Sequence, residues 1–234
     1  MKHYAYQSPF KMKDLEGNEY LLTVEIDEYS DDPRNWDNLC TMVCFRNRYK
    51  LGDKHNYDSC WDFLESLCKQ LLDMKYEDCE DMSENELFEK LVNSDKVIIK
   101  TIRLYDHSGI TVSTSNGYPY TDRWDSCCVG YIYVTKEKIL KEIANANETN
   151  WSVIADEIME NEMEQYDQYL RGDVYWFRLT KKVMAQDLCP HCGEVIREYE
   201  DEEEIDNCAG FYGYCLEENG ILDNISKDIK FVEE

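Results

Sequence analysis

Cys189-Pro190-His191-Cys192-Gly193 places two thiols three positions apart, a spacing that lets both reach one Zn2+ from a single tight turn. A closed structural site needs two more ligands. Cys208 and Cys215 are the nearest cysteines, although six residues separate them, wider than the usual gap of about two to four. His191 lies inside the turn and is awkwardly placed to ligate. The same residues read equally as free thiols on a hairpin, or as a redox pair. No helix follows to lower a thiol pKa, and the acidic surroundings should raise it.

Asp106, His107 and Asp125 are the candidates for acid–base chemistry. Neighbours in a chain point apart on a strand, so His107 needs a distant partner to act. The simpler reading of Asp106-His107-Ser108-Gly109 is a turn in which Asp106 and Ser108 bond to the backbone. Asp37, Asp167 and Asp173 also stand beside turns or element ends, and together with the first three they could hold Mg2+ or Mn2+ through oxygen. In so acidic a chain such a set arises easily by chance. There is no GxSxG elbow, HExxH pattern or P-loop, and a non-catalytic protein is the favoured reading. Arg46, Arg48, Lys50, Lys54 and Arg123 could instead line a pocket for a small anion such as a nucleotide. In an extended strand Arg46, Arg48 and Lys50 would share a face.

Carboxylates dominate the rest. Residues 194–206 hold eight acids and one arginine, residues 155–167 six acids and no base, and residues 73–90 eight acids against two lysines. Such density serves either solvation or the recognition of a basic partner. Carboxylates along a rigid face can present a field resembling a phosphate backbone. The chosen surface is Asp156, Glu157, Glu160 and Glu164, on the solvent side of a helix. Residues 200–204 read as a loop.

The elements that must position these groups follow from periodicity. Residues 19–28 alternate as a half-buried strand, and 41–49 form a second strand candidate. Trp61, Leu64, Leu67, Cys68, Leu71 and Leu72 define a helix capped near Asp58. Ser83 and Glu86 have the spacing of a capping box for the next. Residues 97–105 and 109–115 read as a hairpin, and 127–134 as a third strand of that group. Thr135 caps a helix running to about Ala146. A longer helix from Asn150 buries Trp151, Ile154, Ala155, Ile158, Met159, Met163 and Tyr166, and Gly172 ends it. Strands at 174–183 and near the end of the chain complete the pattern. The expected fold is α+β, a mainly antiparallel sheet of roughly six strands with helices packed on one face. It forms a single domain over 1–234, with a cysteine-bearing hairpin excursion at 187–210.

The strings DPRNWDNLCTMVCFRNRYKLGD (32–53), LYDHSGITVSTS (104–115), RWDSCCVGYIYVTKEKI (123–139), EQYDQYLRGDVYWF (164–177) and CAGFYGY (208–214) resemble a family of uncharacterised acidic proteins of bacteriophages and mobile elements. The resemblance spans most of the chain in the same order. It departs from the family at Cys40, where glycine is common, and at Cys127-Cys128, where a glycine-containing pair is common. The resemblance implies a small accessory gene product acting against host defence, and it carries no established activity.

Composition sets the outer bounds. The 234 residues carry 50 Asp plus Glu against 25 Lys plus Arg, a formal charge of -25. That disfavours general nucleic-acid binding and contact with an anionic membrane. The 18 Tyr, 7 Phe and 5 Trp suffice for a real core and argue against disorder. No apolar run approaches the roughly 20 residues of a membrane span, and the start of the chain lacks a signal-peptide core. Eleven cysteines in that setting are expected as mostly free thiols in the host cytoplasm. The functional expectation is an inhibitor of a host defence or nucleic-acid-binding protein, a basic partner such as a nuclease, bound through the acidic surface. A nucleotide-binding protein or hydrolase, and a zinc-stabilised structural or regulatory phage protein, are the alternatives.

Overall fold

The computed structural model describes residues 2–46 and 48–232. The fold is α+β with antiparallel strands, as the periodicity predicts, but the strands divide between two sheets. By internal contacts the chain forms two compact units, Asp32–Arg171 and the pair of segments Met1–Asp31 and Gly172–Glu234.

The unit Asp32–Arg171 contains β3 (Thr41–Cys44), α1 (Cys60–Leu72), α2 (Tyr76–Cys79), α3 (Glu84–Val92), β4 (Val97–Asp106), β5 (Ile110–Ser113), β6 (Ser126–Thr135), α4 (Lys136–Glu142) and α5 (Trp151–Arg171). Its sheet has the order β3-β6-β4-β5, every pairing antiparallel. Helices cover both faces of this sheet rather than one. Val43, Val97, Ile99 and Tyr131 meet Phe63, Leu64 and Leu67 of α1 and Leu87 and Leu91 of α3. Met42, Ile102, Leu104 and Ile132 meet Ile139 of α4 and Trp151, Ala155, Met159 and Met163 of α5. The reason is visible in β4 and β6, which are apolar at both strand parities, the pattern of a strand buried on two sides. At the crossing of β3 and β6 the backbones come so close that a Cβ on Gly130 would sit 2.0 Å from the Val43 carbonyl oxygen.

Local signals set the helix starts. The Ser83 hydroxyl accepts from the Glu86 backbone N–H while Glu86 accepts from the Ser83 N–H, the reciprocal box that spacing predicts. Ser59, one residue beyond the expected Asp58, caps α1. Thr135 caps α4, which ends at Glu142, short of Ala146.

The other unit holds β1 (Phe10–Lys13), β2 (Glu19–Ile26), β7 (Val174–Leu188), β8 (Val195–Tyr212) and β9 (Lys230–Phe231). They form one antiparallel sheet in the order β8-β7-β2-β1-β9. Leu22, Val24, Phe177, Leu179, Leu216 and Ile221 make its core. β2 pairs with β7 only as far as Tyr20↔Lys181, whereas β7 and β8 continue together to Leu188↔Val195. Residues 182–202 are therefore a two-stranded ribbon extending past its own sheet, with no buried residue in it. Of the excursion expected at 187–210, residues 187–202 lie in this ribbon while 203–210 pair with β7 inside the sheet, and residues 200–204 are strand rather than loop.

Among the described residues, no helix is long and apolar enough to cross a membrane.

Candidate functional site

The strand β8 carries the densest charge, where the ribbon leaves the sheet. Glu200, Asp201, Glu202, Glu203 and Glu204 are five consecutive acids on β8, all exposed. Acidic residues are poor strand formers, so the ladder to β7 must hold them. Glu204 to Glu200 pair in turn with Thr180, Lys181, Lys182, Val183 and Met184. The Thr180 hydroxyl donates to Glu202 at 3.1 Å, and Asn207 donates to Glu204 at 2.6 Å. Lys182 turns instead to Glu19 of β2, at 3.2 Å. Among the described residues none of the five acids is in an ion pair. An extended strand advances about 3.4 Å per residue, so the run presents one negative charge per about 3.4 Å of axis. Successive side chains face opposite ways, so each face carries one charge per about 6.8 Å, half the axial density of one strand of duplex DNA.

The helix surface chosen from sequence is less open. The buried side of α5 is as predicted, and Asp156, Glu157, Glu160 and Glu164 lie opposite. Lys100 of β4 reaches Asp156 at 2.6 Å and Glu160 at 3.4 Å, and Gln168 donates to Glu164 at 3.4 Å. Glu157 is exposed. Asp156, Glu160 and Glu164 recur every fourth residue, about 6 Å apart on a helix.

Asp106 and Asp125 come together in a cleft of about 170 Å³ lined also by Arg46, Arg48, Trp124 and Cys127, and His107 bonds to Asp125 without lining it. The Asp106 N–H donates to the Asp125 carbonyl at 2.8 Å, and His107 Nδ1 lies 2.9 Å from Asp125 Oδ2. The turn reading differs in detail, because the Asp106 carboxylate takes Arg48 at 3.1 Å and the Tyr49 hydroxyl at 3.0 Å rather than backbone. Arg46 Nη1 contacts the Cys127 thiol. Burial, and then the bond to Asp106, push the Tyr49 phenol up. Ser126 donates to the Tyr120 carbonyl, which directs its hydroxyl to backbone. The cleft therefore assembles two aspartates and two arginines, with Trp124 93 % exposed beside them. β3 ends at Cys44, so Arg46 and Arg48 are not on a strand face. Lys50, Lys54 and Arg123 are exposed and do not line the cleft.

The oxygen-ligand set does not assemble. Asp167 is spent on β5, where it accepts the Val112 N–H at 2.7 Å and the Thr111 hydroxyl. Asp37 is exposed, and Asp173 belongs to the other unit. Among the described residues no group of three or more His, Cys, Asp or Glu is arranged to hold a metal ion.

Nor do the four cysteines converge. The register places Cys208 opposite Phe177, eleven residues along β7 from Leu188, about 35 Å from the ribbon tip. Cys215 is buried in the core region beside Glu217. Cys189 and Cys192 alone occupy the tip. Its turn is closed by Cys189 N–H to the Glu194 carbonyl (2.8 Å) and Gly193 N–H to the Cys189 carbonyl (2.9 Å), with Gly193 at φ +77°. The backbone N–H groups of His191 and Cys192 and the Cys192 thiol bring the Cys189 thiol down, opposite to the shift expected from the acidic surroundings alone.

The polar cluster that sequence reasoning missed is structural. Arg34, its side chain 3 % exposed, donates two bonds to Asp53 (2.8 and 2.9 Å), one to Glu162 (3.0 Å) and one to the Cys40 carbonyl (2.8 Å). Glu162 also accepts the Leu39 and Cys40 N–H groups, and Asp53 the Met42 N–H. The only signal for it was a lone arginine and a lone aspartate in otherwise apolar or turn-like surroundings.

Compared with protein-family models, curated proteins and solved structures, the chain matches none.

Proposed function

We propose that the protein acts without chemistry of its own, by binding a basic, nucleic-acid-handling protein through its carboxylate surfaces and occupying the place of the phosphate backbone. The observation that carries this reading is the run Glu200–Glu204, which among the described residues is in no ion pair and presents a carboxylate about every 6.8 Å along each face of an extended strand. A solvating acidic surface needs no regular geometry, whereas a mimic does, and a strand ladder supplies it. The face Asp156, Glu157, Glu160 and Glu164 is a second, weaker surface, since Lys100 already offsets part of its charge. The resemblance to acidic proteins of bacteriophages and mobile elements supports a host defence protein, such as a nuclease, as the partner.

The test is capture of host proteins on the tagged chain from a nuclease-treated lysate, at low and high salt. A second bait carries Glu200, Glu202, Glu203 and Glu204 as Gln and Asp201 as Asn. The reading expects a stoichiometric basic partner that elutes with salt and is lost from the neutralised bait. Retention of the same partner on both baits at high salt would overturn it.

A second reading rests on the cleft. Arg46 and Arg48 beside an exposed Trp124 suit a small anion with a flat ring, such as a nucleotide, because an arginine fork holds phosphate and an indole face stacks a base. Against it, Asp106 already engages Arg48 and lies 3.7 Å from Arg46. Calorimetry with nucleoside monophosphates on the chain and on Arg48→Ala separates this reading from the first.

A further inference from the structure

We infer that the tip of the β7–β8 ribbon is half of a zinc site, completed by the same tip of a second copy of this chain. Cys189 and Cys192 are the two thiols of one tight turn, neither in a disulfide, and the turn is held closed by the Cys189 N–H on the Glu194 carbonyl and the Gly193 N–H on the Cys189 carbonyl. Structural zinc with sulfur ligands takes four donors. Among the described residues the turn has only two: Cys208 lies about 35 Å down the strand, Cys215 is buried elsewhere in the unit, and no third donor converges. A two-thiol turn at the end of an arm can fill the shell only from outside the chain. A symmetric meeting of two identical tips supplies the missing pair without any further specificity.

A second, independent feature of the tip points to the same occupant. Leu188–Gly193 contain no carboxylate of their own, and of the flanking acids Glu194 accepts from the Cys192 thiol at 3.7 Å. Leu188 and Val195 face one another across the ladder at the base of the turn. They are 56 % and 48 % exposed, with Ile196 beside them at 67 %. Exposed apolar side chains at the base of a two-thiol turn, at the far end of an acidic arm, are unfavourable in water and suit a surface covered by its own copy. On binding, four thiols, two from each chain, lose their protons and form four Zn–S bonds, so that zinc uptake releases protons.

This inference is independent of acidic-surface binding and has the opposite salt dependence. Two arms of like charge repel, and salt screens that repulsion over about 8 Å at physiological strength. The zinc-linked pair should therefore tighten with salt, while binding to a basic partner loosens. The experiment titrates Zn2+ into the reduced, chelator-treated full chain and follows mass by light scattering, with Co2+ absorption reporting thiolate ligation. The expected result is a doubling of mass that saturates at one metal per two chains. Cys192→Ser, an exposed position, abolishes it, and Cys208→Ser leaves it intact. A chain that stays monomeric with zinc, that saturates at one metal per chain, or that doubles equally in Cys192→Ser overturns the proposal.

Discussion

Arg34 joins segments that are far apart in sequence. Its guanidinium ties the start of the Asp32–Arg171 unit to Asp53 and to Glu162 of α5, and the two carboxylates in turn hold backbone N–H groups of Leu39, Cys40 and Met42. Removing one partner of a buried pair strands the others without water. Arg34→Ala should lower the unfolding free energy by about 3–5 kcal/mol, read from urea denaturation, and a loss below about 1 kcal/mol would show that the network is not holding the unit. Glu217 gives a pH signature. Burial pushes its carboxyl up, but the His3 backbone N–H, the His3 ring and its own backbone N–H outweigh that and hold it at about 2, against an ordinary 4.5. A depressed carboxyl stabilises the folded chain only while ionised. Its contribution is complete above about pH 4.5 and is lost as pH falls toward 2. Glu217→Gln should remove that part of the acid limb in thermal melts between pH 5 and pH 2 (about the accessible range). An unchanged limb would assign the acid sensitivity to other groups.

The ribbon is the element with the clearest separable role. None of residues 182–202 is buried, so replacing 184–200 by a two-residue Asn-Gly turn should leave the core of its unit intact. The expected melting temperature lies within about 2–4 °C of the parent, with the zinc-driven doubling of mass abolished and Asp201–Glu204 still in place. A collapse in stability would mean that the ribbon is a folding element rather than a presented surface. Periodicity made most elements legible. The alternation of Leu22 and Val24, the capping box at Ser83 and the apolar stripe from Trp151 to Tyr166 are local signals, and the structure follows them. β8 was not legible, because EYEDEEEID has the composition of a solvated loop and becomes strand only through its ladder with β7. Two-sided burial of the smaller sheet was present in the double apolar parity of β4 and β6 but requires knowing which helices return to each face. The His107–Asp125 pair and the separation of Cys208 from Cys189 depend on register, and no spacing rule encodes that. Gly130 likewise becomes intelligible only once the Val43 carbonyl is seen against it.

At the scale of the whole molecule, a charge of -25 gives any basic partner a long-range attraction, which raises association rates by about 10–1,000-fold and fades with ionic strength. Phosphate mimicry adds a geometric demand that net charge alone does not make: the response must depend on where the carboxylates are. Moving five charges elsewhere should therefore be costly even at constant net charge. A chain with Glu200–Glu204 neutralised, and five exposed polar residues of the other unit made acidic, separates the two ideas. If position matters, this chain loses the partner's affinity by about tenfold or more.

The most direct measurement is the affinity of the captured partner for the parent chain and for the ribbon-neutralised chain across a salt series, with the partner's own DNA as competitor. The account predicts that log affinity falls steadily with log salt for the parent and falls less for the neutralised chain, and that DNA and the parent exclude one another. A salt-independent affinity equal in both chains, or simultaneous binding of DNA and protein, would contradict it.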